Sequence, residues 1–307
     1  MNKLNLGFEF GGRSTLVDTY LDVINSGVGA SQIYVSDHRS TSTGFKFQDI
    51  YNTYSLLSEK KDIFRCIHSC MASNLAGSVS GKSDGKYSSK LSNSIRKLSN
   101  ELELGCMISA PVVVHPGFQQ DRLEGIRVIS DSIQKALTQG GLMLDSFSKK
   151  TGLSLSELNS RKIIALEGCA GERNKIGSSF DELKEIISGI PEELRSQVKI
   201  CMDTCHLFGS GQYNLGETKH IDTFFQDFNN TFGIDKLAVV HLNDSKGIFG
   251  SRIDRHAGIH DGYIFGQQHG EQTLSHILDI CKNYGVPMVL ETPNSGSDYN
   301  LIKRNAL

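Results

Sequence analysis

The chain has 307 residues and a formal net charge of −2, with 38% hydrophobic and 21% charged residues. This composition is typical of a packed globular protein, and no stretch approaches the roughly 18 apolar residues that a membrane-spanning helix needs. The chain also lacks the basic excess of many nucleic-acid-binding proteins, so recognition of phosphate would have to come from local groups.

The N-terminal segment and the cysteines bear on the compartment. Residues 1–10 contain one lysine and no long apolar core followed by a cleavage site, so a secretion signal is not expected. Seven cysteines at irregular spacings favour reduced thiols over a disulfide framework. We therefore expect an intracellular, cytoplasmic protein, with the nucleus or a virion as alternatives for a eukaryotic or viral source.

Short apolar runs alternate with amphipathic segments along the chain. The predicted strands are Leu4–Glu9, Gln32–Val35, Ile63–His68, Val112–His115, Lys162–Glu167, Val198–Asp203, Leu237–Leu242 and Pro287–Glu291. The predicted helices include Leu16–Ser26, Ser88–Leu104, Asp121–Leu137, Phe180–Ser188, His220–Asn229 and Thr273–Lys282. Alternating strands and helices build a parallel sheet, and eight such units suffice to close a barrel. We predict an α/β fold, a TIM (β/α)8 barrel, in a single domain over residues 1–307.

Two longer connections are expected on opposite faces of this barrel. The Gly- and Ser-rich segment 77–89 follows a strand, which places it among the loops at the C-terminal face, where active sites of this fold lie. The stretch 142–160 follows a helix, so we expect it on the other face and without a chemical role.

From the third strand onward, each predicted strand has an imidazole or a carboxylate at its last position or, in the seventh strand, one position before it. These residues are His68, His115, Glu167, Asp203, His241 and Glu291. His206 follows three residues after Asp203, and Asp254 and His256 lie in the loop after the seventh strand. In a barrel all of these side chains meet at one mouth, where burying them is costly unless cations compensate their charge.

The types of these side chains indicate the metal and the chemistry. Imidazole and carboxylate without thiolate suit zinc, manganese or iron, and this many ligands exceeds the four to six that one ion takes, so two or three ions are expected. Cys201 and Cys205 are alternative soft ligands, but Cys201 alternates with Asp203 on a buried strand and core packing is favoured. Clustered cations are suited to hydrolysis of a phosphoester.

Several motifs resemble the endonuclease IV family of apurinic/apyrimidinic endonucleases (AP endonuclease family 2). They are VVVHPG at 112–117, ALEGCAG at 165–171, MDTCHLFGSG at 202–211, HLNDSKGIFGSRIDRH at 241–256 and VLETP at 289–293. The resemblance runs from Leu4 to Thr292. It implies a xylose-isomerase-like barrel with three zinc ions, or manganese at one position. It also implies a monomer that acts on double-stranded DNA with abasic sites in base excision repair. The expected reaction is hydrolysis of the phosphodiester 5′ to the site, leaving a 3′-hydroxyl and a 5′-deoxyribose phosphate, with cleaning of blocked 3′ ends as a further activity.

The resemblance also implies how the ligands divide among the ions, which the residues alone leave open. His68, His115 and Glu167 would hold the first zinc, and Glu167 would bridge to the second. The second would be completed by Asp203, His241 and Glu291, and a third, more exposed ion would be held by His206, Asp254 and His256. Catalytic roles fall on Glu291, Glu167 and Asp203, with Glu291 orienting the attacking hydroxide.

The expected DNA contacts show where this chain departs from the family. The family commonly has an aromatic residue and a leucine after the third-strand histidine, whereas His68 is here followed by Ser69, Cys70, Met71 and Ala72. Met71, beside Ala72, would therefore have to enter the gap left by the missing base, although a thioether stacks less well than an aromatic ring. The other expected contacts are Arg39, Asn74, Lys246 and Arg252.

Two other functions remain as alternatives. A sugar isomerase or epimerase of the same barrel type shares strand-end Glu, Asp and His, but it normally lacks a set such as His206, Asp254 and His256. A non-catalytic DNA-damage-binding protein on a decayed barrel would be expected to lose ligands, and none is missing here.

Overall fold

The computed structural model describes residues 3–36, 43–77 and 88–305. The barrel strands are β1 (Leu6–Phe10), β2 (Ala30–Tyr34), β3 (Phe64–His68), β4 (Val112–Val114), β5 (Ile164–Glu167), β6 (Val198–Asp203), β7 (Leu237–His241) and β10 (Met288–Leu290). They are parallel and close in the order β1-β10-β7-β6-β5-β4-β3-β2. Strands β8 (Asp244–Ser245) and β9 (His256–Ala257) pair antiparallel in the loop after β7. The predicted TIM barrel is confirmed.

Helices surround the barrel. In the described ranges they are α1 (Leu16–Ser26), α2 (Phe47–Ser58), α3 (Ser89–Ile108), α4 (Arg122–Thr138), α5 (Leu142–Thr151), α6 (Leu155–Ser160), α7 (Phe180–Ser188), α8 (Thr204–Ser210), α9 (Thr218–Phe232), α10 (Gly270–Tyr284) and α11 (Ser295–Asn305). Side chains of Thr15, Ser88, Asp121, Ser154 and Ser179 accept backbone N–H groups at the start of five of them. These caps satisfy donors that a helix leaves without partners, so the helices begin where Ser, Thr and Asp precede the apolar pattern.

Predicted and observed elements agree closely. The helices at 16–26 and 180–188 and the strand at 198–203 have the predicted bounds, and the other predicted elements differ by a few residues at their ends. The stretch 142–160 forms α5 and α6, which precede β5 and pack against α3.

The interior of the barrel explains why the strand-end side chains point toward its axis. A small buried cluster fills it, made of Ala30, Cys66, Val113, Ala165, Cys201, Ala238, Val239 and Val289. Six of these residues lie two positions before a strand-end His, Asp or Glu; for example, Cys66 precedes His68 and Val289 precedes Glu291. Because side chains alternate between the two faces of a strand, the strand-end groups form the next layer above this cluster.

The larger core lies between the barrel and its helices. None of the seven cysteines forms a disulfide and all are buried, in agreement with the predicted reduced thiols. In the ranges that the structure describes, no helix has the length and apolar character needed to cross a membrane.

Candidate metal centre

The predicted metal ligands come together at the C-terminal mouth of the barrel in three groups, two of which share a residue. Within each group the potential ligand atoms lie within 4.8 Å of one another. The groups are His68, His115 and Glu167; Glu167, Asp203, His241 and Glu291; and His206, Asp254 and His256. Glu167 belongs to two groups, so its carboxylate is placed to bridge two ions.

The first group is buried around one oxygen of Glu167. His68 Nε2 lies 3.2 Å and His115 Nε2 lies 3.4 Å from Glu167 Oε2. His68 Nδ1 is 2.8 Å from the carbonyl oxygen of Ser69, which only accepts, so Nδ1 carries a hydrogen and Nε2, facing Glu167, is the atom that would coordinate a metal. Burial lowers the pKa of His115 to about 4, which keeps its imidazole neutral and able to coordinate a metal.

In the second group, His241 Nδ1 lies 3.1 Å from Glu167 Oε1 and 3.1 Å from Glu291 Oε2. The buried side chain of Gln32 orients this group. Its Nε2 donates to Glu291 Oε1 at 2.5 Å, which leaves its Oε1 to accept from His241 Nε2 at 2.9 Å. His241 therefore carries a hydrogen on Nε2, which leaves Nδ1, facing the two carboxylates, as the atom that would coordinate a metal.

Asn243 holds the carboxylate of Asp203 and the backbone of Glu291. Its Nδ2 donates to Asp203 Oδ2 at 2.7 Å, and its Oδ1 accepts from the backbone N–H of Glu291 at 2.9 Å. The other Asp203 oxygen accepts from the backbone N–H of His206 at 2.9 Å, as the cap of α8. One short motif thus fixes Asp203 and His206 together, because the carboxylate that caps α8 is hydrogen-bonded to the backbone of His206.

The third group is more open. His206 Nε2 and His256 Nε2 lie 3.0 and 3.8 Å from Asp254 Oδ1. The side chains of Asp254 and His256 are 21% and 19% exposed, against 4% for His206. His206 Nδ1 faces the Gly168 carbonyl at 2.9 Å, which leaves Nε2 free to coordinate. Lys175 Nζ donates to the second oxygen of Asp254 at 3.1 Å and thereby orients that carboxylate.

The ionisable side chains at the barrel mouth change one another's pKa values. Burial would raise the pKa of Glu291, but the adjacent His241 lowers it to about 2. Burial would also raise the pKa of Glu167, but His115 and His241 hold that pKa well below its usual value. Burial disfavours a charged His206, yet Asp203 and Asp254 raise its pKa well above the ordinary value. These shifts keep the carboxylates of Glu167 and Glu291 ionised and therefore able to coordinate a cation.

The donor set fits metal ions in this structure. Imidazole nitrogens and carboxylate oxygens face one another in each group, and His256 Nε2 is buried without a hydrogen-bond partner in the described part of the chain. Such an orphaned imidazole nitrogen calls for a ligand. Cys201 and Cys205 also lie near these groups, but burial raises the pKa of both thiols, that of Cys201 to about 12, which favours the packing role predicted for Cys201.

Two residues of the site were missed by the sequence analysis. A cavity of about 140 Å³ opens over the donor groups, and Glu9 and Tyr34 line it together with Met71 and seven of the proposed ligands. Glu9 ends a predicted strand, so the rule that identified the ligands was available for it. Tyr34 lies two positions after Gln32 on β2, on the same face of that strand.

Of the predicted DNA contacts, Met71 lines this cavity, and Arg252 lines a second cavity that also includes Asp254. Met71 is 51% exposed at the rim of the first cavity, and Ala72, Lys246 and Arg252 are exposed. The carboxamide of Asn74 is hydrogen-bonded to the backbone of Phe118. Arg39 lies outside the described residues.

Comparison with known proteins identifies the family. A family model described as a xylose isomerase-like TIM barrel matches residues 57–303. The probable endonuclease 4 of Alkaliphilus oremlandii is 42% identical over 131 residues, which are 43% of this chain and 43% of that protein. The probable endonuclease 4 of Oceanobacillus iheyensis is 35% identical over 204 residues, covering 66% of this chain and 59% of that protein. The matches thus span about half the length of these relatives.

A solved structure has the same fold over nearly its whole length. The crystal structure of endonuclease IV from Thermus thermophilus superposes with a TM-score of 0.75 at 23% identity, covering 98% of this chain and 97% of that one. The chain therefore belongs to the xylose isomerase-like TIM barrel family and, within it, to the endonuclease IV group.

Proposed function

We propose that this protein is an AP endonuclease of base excision repair. It hydrolyses the phosphodiester 5′ to an abasic site in double-stranded DNA, leaving a 3′-hydroxyl and a 5′-deoxyribose phosphate. The observation that carries the proposal is the meeting of three donor groups at one barrel mouth. Cleaning of blocked 3′ ends would use the same phosphoester chemistry.

The proposed cofactor is three zinc ions, with manganese as an alternative at one position. Each of the three donor groups would hold one ion, and Glu167 would be shared between the first two. Bound there, adjacent cations would supply Lewis acidity to the phosphate oxygens and lower the pKa of an attacking water.

The protein's own groups would position the reactants. Glu291 is placed to accept a hydrogen bond from the attacking water, because Gln32 holds one of its oxygens and Asn243 holds its backbone N–H. In the reaction the water oxygen bonds to phosphorus, the bond from phosphorus to the 3′-oxygen breaks, and that oxygen takes up a proton. Burial and the nearby carboxylate of Glu291 raise the pKa of Tyr34, so its phenol stays protonated and can donate a hydrogen bond at the cavity wall.

The proposed DNA contacts are six residues that follow β2, β3 or β7 in the sequence. They are Arg39, Met71, Ala72, Asn74, Lys246 and Arg252, and the protein is proposed to act as an intracellular monomer. The exposure of Met71 at the rim of the cavity over the donor groups supports its assignment, and the exposure of Arg252 supports that of the arginine.

Sugar isomerisation is the strongest alternative on this fold. It needs one or two ions beside a polyol, and the group formed by His206, Asp254 and His256 would have no purpose in it. The third group therefore favours cleavage of a phosphodiester.

The test is cleavage of a labelled duplex with one tetrahydrofuran abasic analogue, with metal content measured on the same sample. The analogue cannot be cut by β-elimination, so incision on its 5′ side by a preparation with close to three zinc ions per chain is the expected result. A fully metallated protein that leaves the duplex intact would overturn the proposed substrate.

A further inference from the structure

Phe118 stands at the barrel mouth with its ring 58% exposed, the highest value for an aromatic side chain in the described ranges. It follows His115 by three residues, in the loop after β4. The loop after β3, in contrast, contains Met71 and no aromatic residue between His68 and Asn74. The exposed aromatic side chain therefore lies in the loop after β4, which follows His115 of the first donor group, and not in the loop after β3.

The backbone beneath this ring is held rigidly. Asn74 Nδ2 donates to the Phe118 carbonyl at 3.1 Å, and the Phe118 N–H donates to Asn74 Oδ1 at 3.0 Å. Phe118 also forms a β-bridge with Lys175. Gly117 has φ +115°, and a Cβ there would lie 2.1 Å from Asn74 Oδ1, so only glycine permits the clamp. An exposed ring on so constrained a backbone is preorganised to bind a partner.

Next to the ring lies a cavity of about 600 Å³ that reaches the third donor group. Its lining includes Phe118 and Ile253, the proposed ligand Asp254, and the cations Arg173, Lys175, Arg252 and Arg255. No ion pair within the described residues engages the three arginines. Arg173 and Arg252 also have left-handed backbones, with φ of 51° and 54°. Such strain in residues other than glycine persists mainly where function requires the geometry.

An aromatic platform beside unpaired arginines is the surface that binds a nucleic-acid strand, because bases stack on the ring while phosphates meet the cations. We propose that Phe118 is the residue that stacks on a base of the DNA flanking the abasic site. In this proposal Arg173 and Arg255 hold the adjacent phosphates, and Asn74 acts as a positioning residue for Phe118. The proposal rests on the proposed function and assigns the aromatic role to the loop after β4.

The chain contains no tryptophan, so a single introduced indole reports on its own position. Phe118→Trp holoenzyme would be mixed in a stopped-flow instrument with the tetrahydrofuran duplex, and binding would be followed separately by fluorescence anisotropy of labelled DNA. Stacking on a base should quench the indole in step with binding. Tyr284→Trp, at the end of α10 and 54% exposed, is the matched control and should keep its fluorescence. Met71→Trp tests the loop after β3 in the same way.

Substitutions provide a second measurement. Phe118→Ala should weaken binding of the abasic duplex by roughly tenfold, raising KM more than it lowers kcat, whereas Phe118→Tyr should restore binding. Thermal stability and metal content should not change, since the ring is exposed. Quenching of Met71→Trp alone, or full affinity in Phe118→Ala, would overturn the proposal while leaving the proposed function in place. Failure of the wild-type protein to bind the duplex would overturn both.

Discussion

The side-chain oxygen Oε1 of Gln32 lies 2.9 Å from Nε2 of His241, and both residues are fully buried. The amide nitrogen of Gln32 is committed to Glu291, so this contact sets the tautomer of the imidazole. Gln32 is thus not a proposed metal ligand. It determines which nitrogen of His241 is available to a metal ion.

The first prediction concerns this contact. Gln32→Met should weaken zinc binding by about 10- to 100-fold, because the imidazole and the carboxylate lose the partner that orients them. The measurement is zinc affinity by competition with a chromophoric chelator, with Gln268→Met, an exposed glutamine, as control. Unchanged affinity in Gln32→Met would show that His241 is oriented by other contacts.

The second prediction concerns the third donor group. His256→Ala should lower cleavage of the abasic duplex by roughly two orders of magnitude or more and remove one metal ion per chain, while the fold stays intact. His206→Ala should behave alike. His276→Ala, which removes an imidazole paired with Asp222 at the surface, is the control. Wild-type activity with a full metal complement would be incompatible with a third ion at this group.

The third prediction concerns removal of metal. His68, Glu167, Asp203 and His241 are at most 2% exposed, so a chelator should inactivate the protein slowly, and metal loss should lower the unfolding temperature. An ion present at a thousandfold excess over its Kd stabilises the folded state by about 4 kcal/mol. The measurement is a time course of activity and metal content in EDTA. Immediate loss of both would point to one exposed, weak site.

The fourth prediction concerns pH and a group far from the proposed ligands. Burial raises the pKa of Glu103 on α3, although the backbone N–H of Leu144 donates to it at 3.0 Å. The folded protein therefore binds this proton more tightly than the unfolded chain, whose pKa is about 4.3. The contribution to stability is complete below that value and is lost as the pH rises through the folded pKa.

We therefore expect the free energy of unfolding of the wild type, minus that of Glu103→Gln, to decrease as the pH rises from about 4 through the folded pKa of Glu103. Chemical denaturation of both proteins at each pH gives this difference, and the titration of the metal ligands cancels in it. An increase with pH would mean that the hydrogen bond from Leu144 outweighs burial.

Much of the fold and the positions of the proposed ligands followed from the sequence. The end of β6, for example, is marked by a short apolar run that stops at Asp203. Cys201, two positions earlier, faces the barrel interior, so strand alternation directs the Asp203 side chain toward the same axis. Glu9 was overlooked although the first predicted strand, Leu4–Glu9, ends at it in the same way. Bounds of helices shifted by a few residues because their last turns depend on packing rather than on local pattern.

The supporting contacts did not follow from the sequence, because they join distant residues. Gln32 and Glu291 are 259 positions apart and meet only across the interior of the closed barrel. Asn74 meets Phe118 through a clamp between two loops, and nothing near Asn74 in the chain indicates this pairing.

The sequence by itself determined which side chains end the strands and that they would gather at one mouth, because strand alternation and the βα order are local properties. Only the tertiary structure decided which nitrogen and oxygen atoms share a group, which hydrogen each imidazole carries, and where an aromatic ring stands beside the site. Those features depend on the register of strands and loops brought together by closing the barrel, and that register is set by packing over the whole chain.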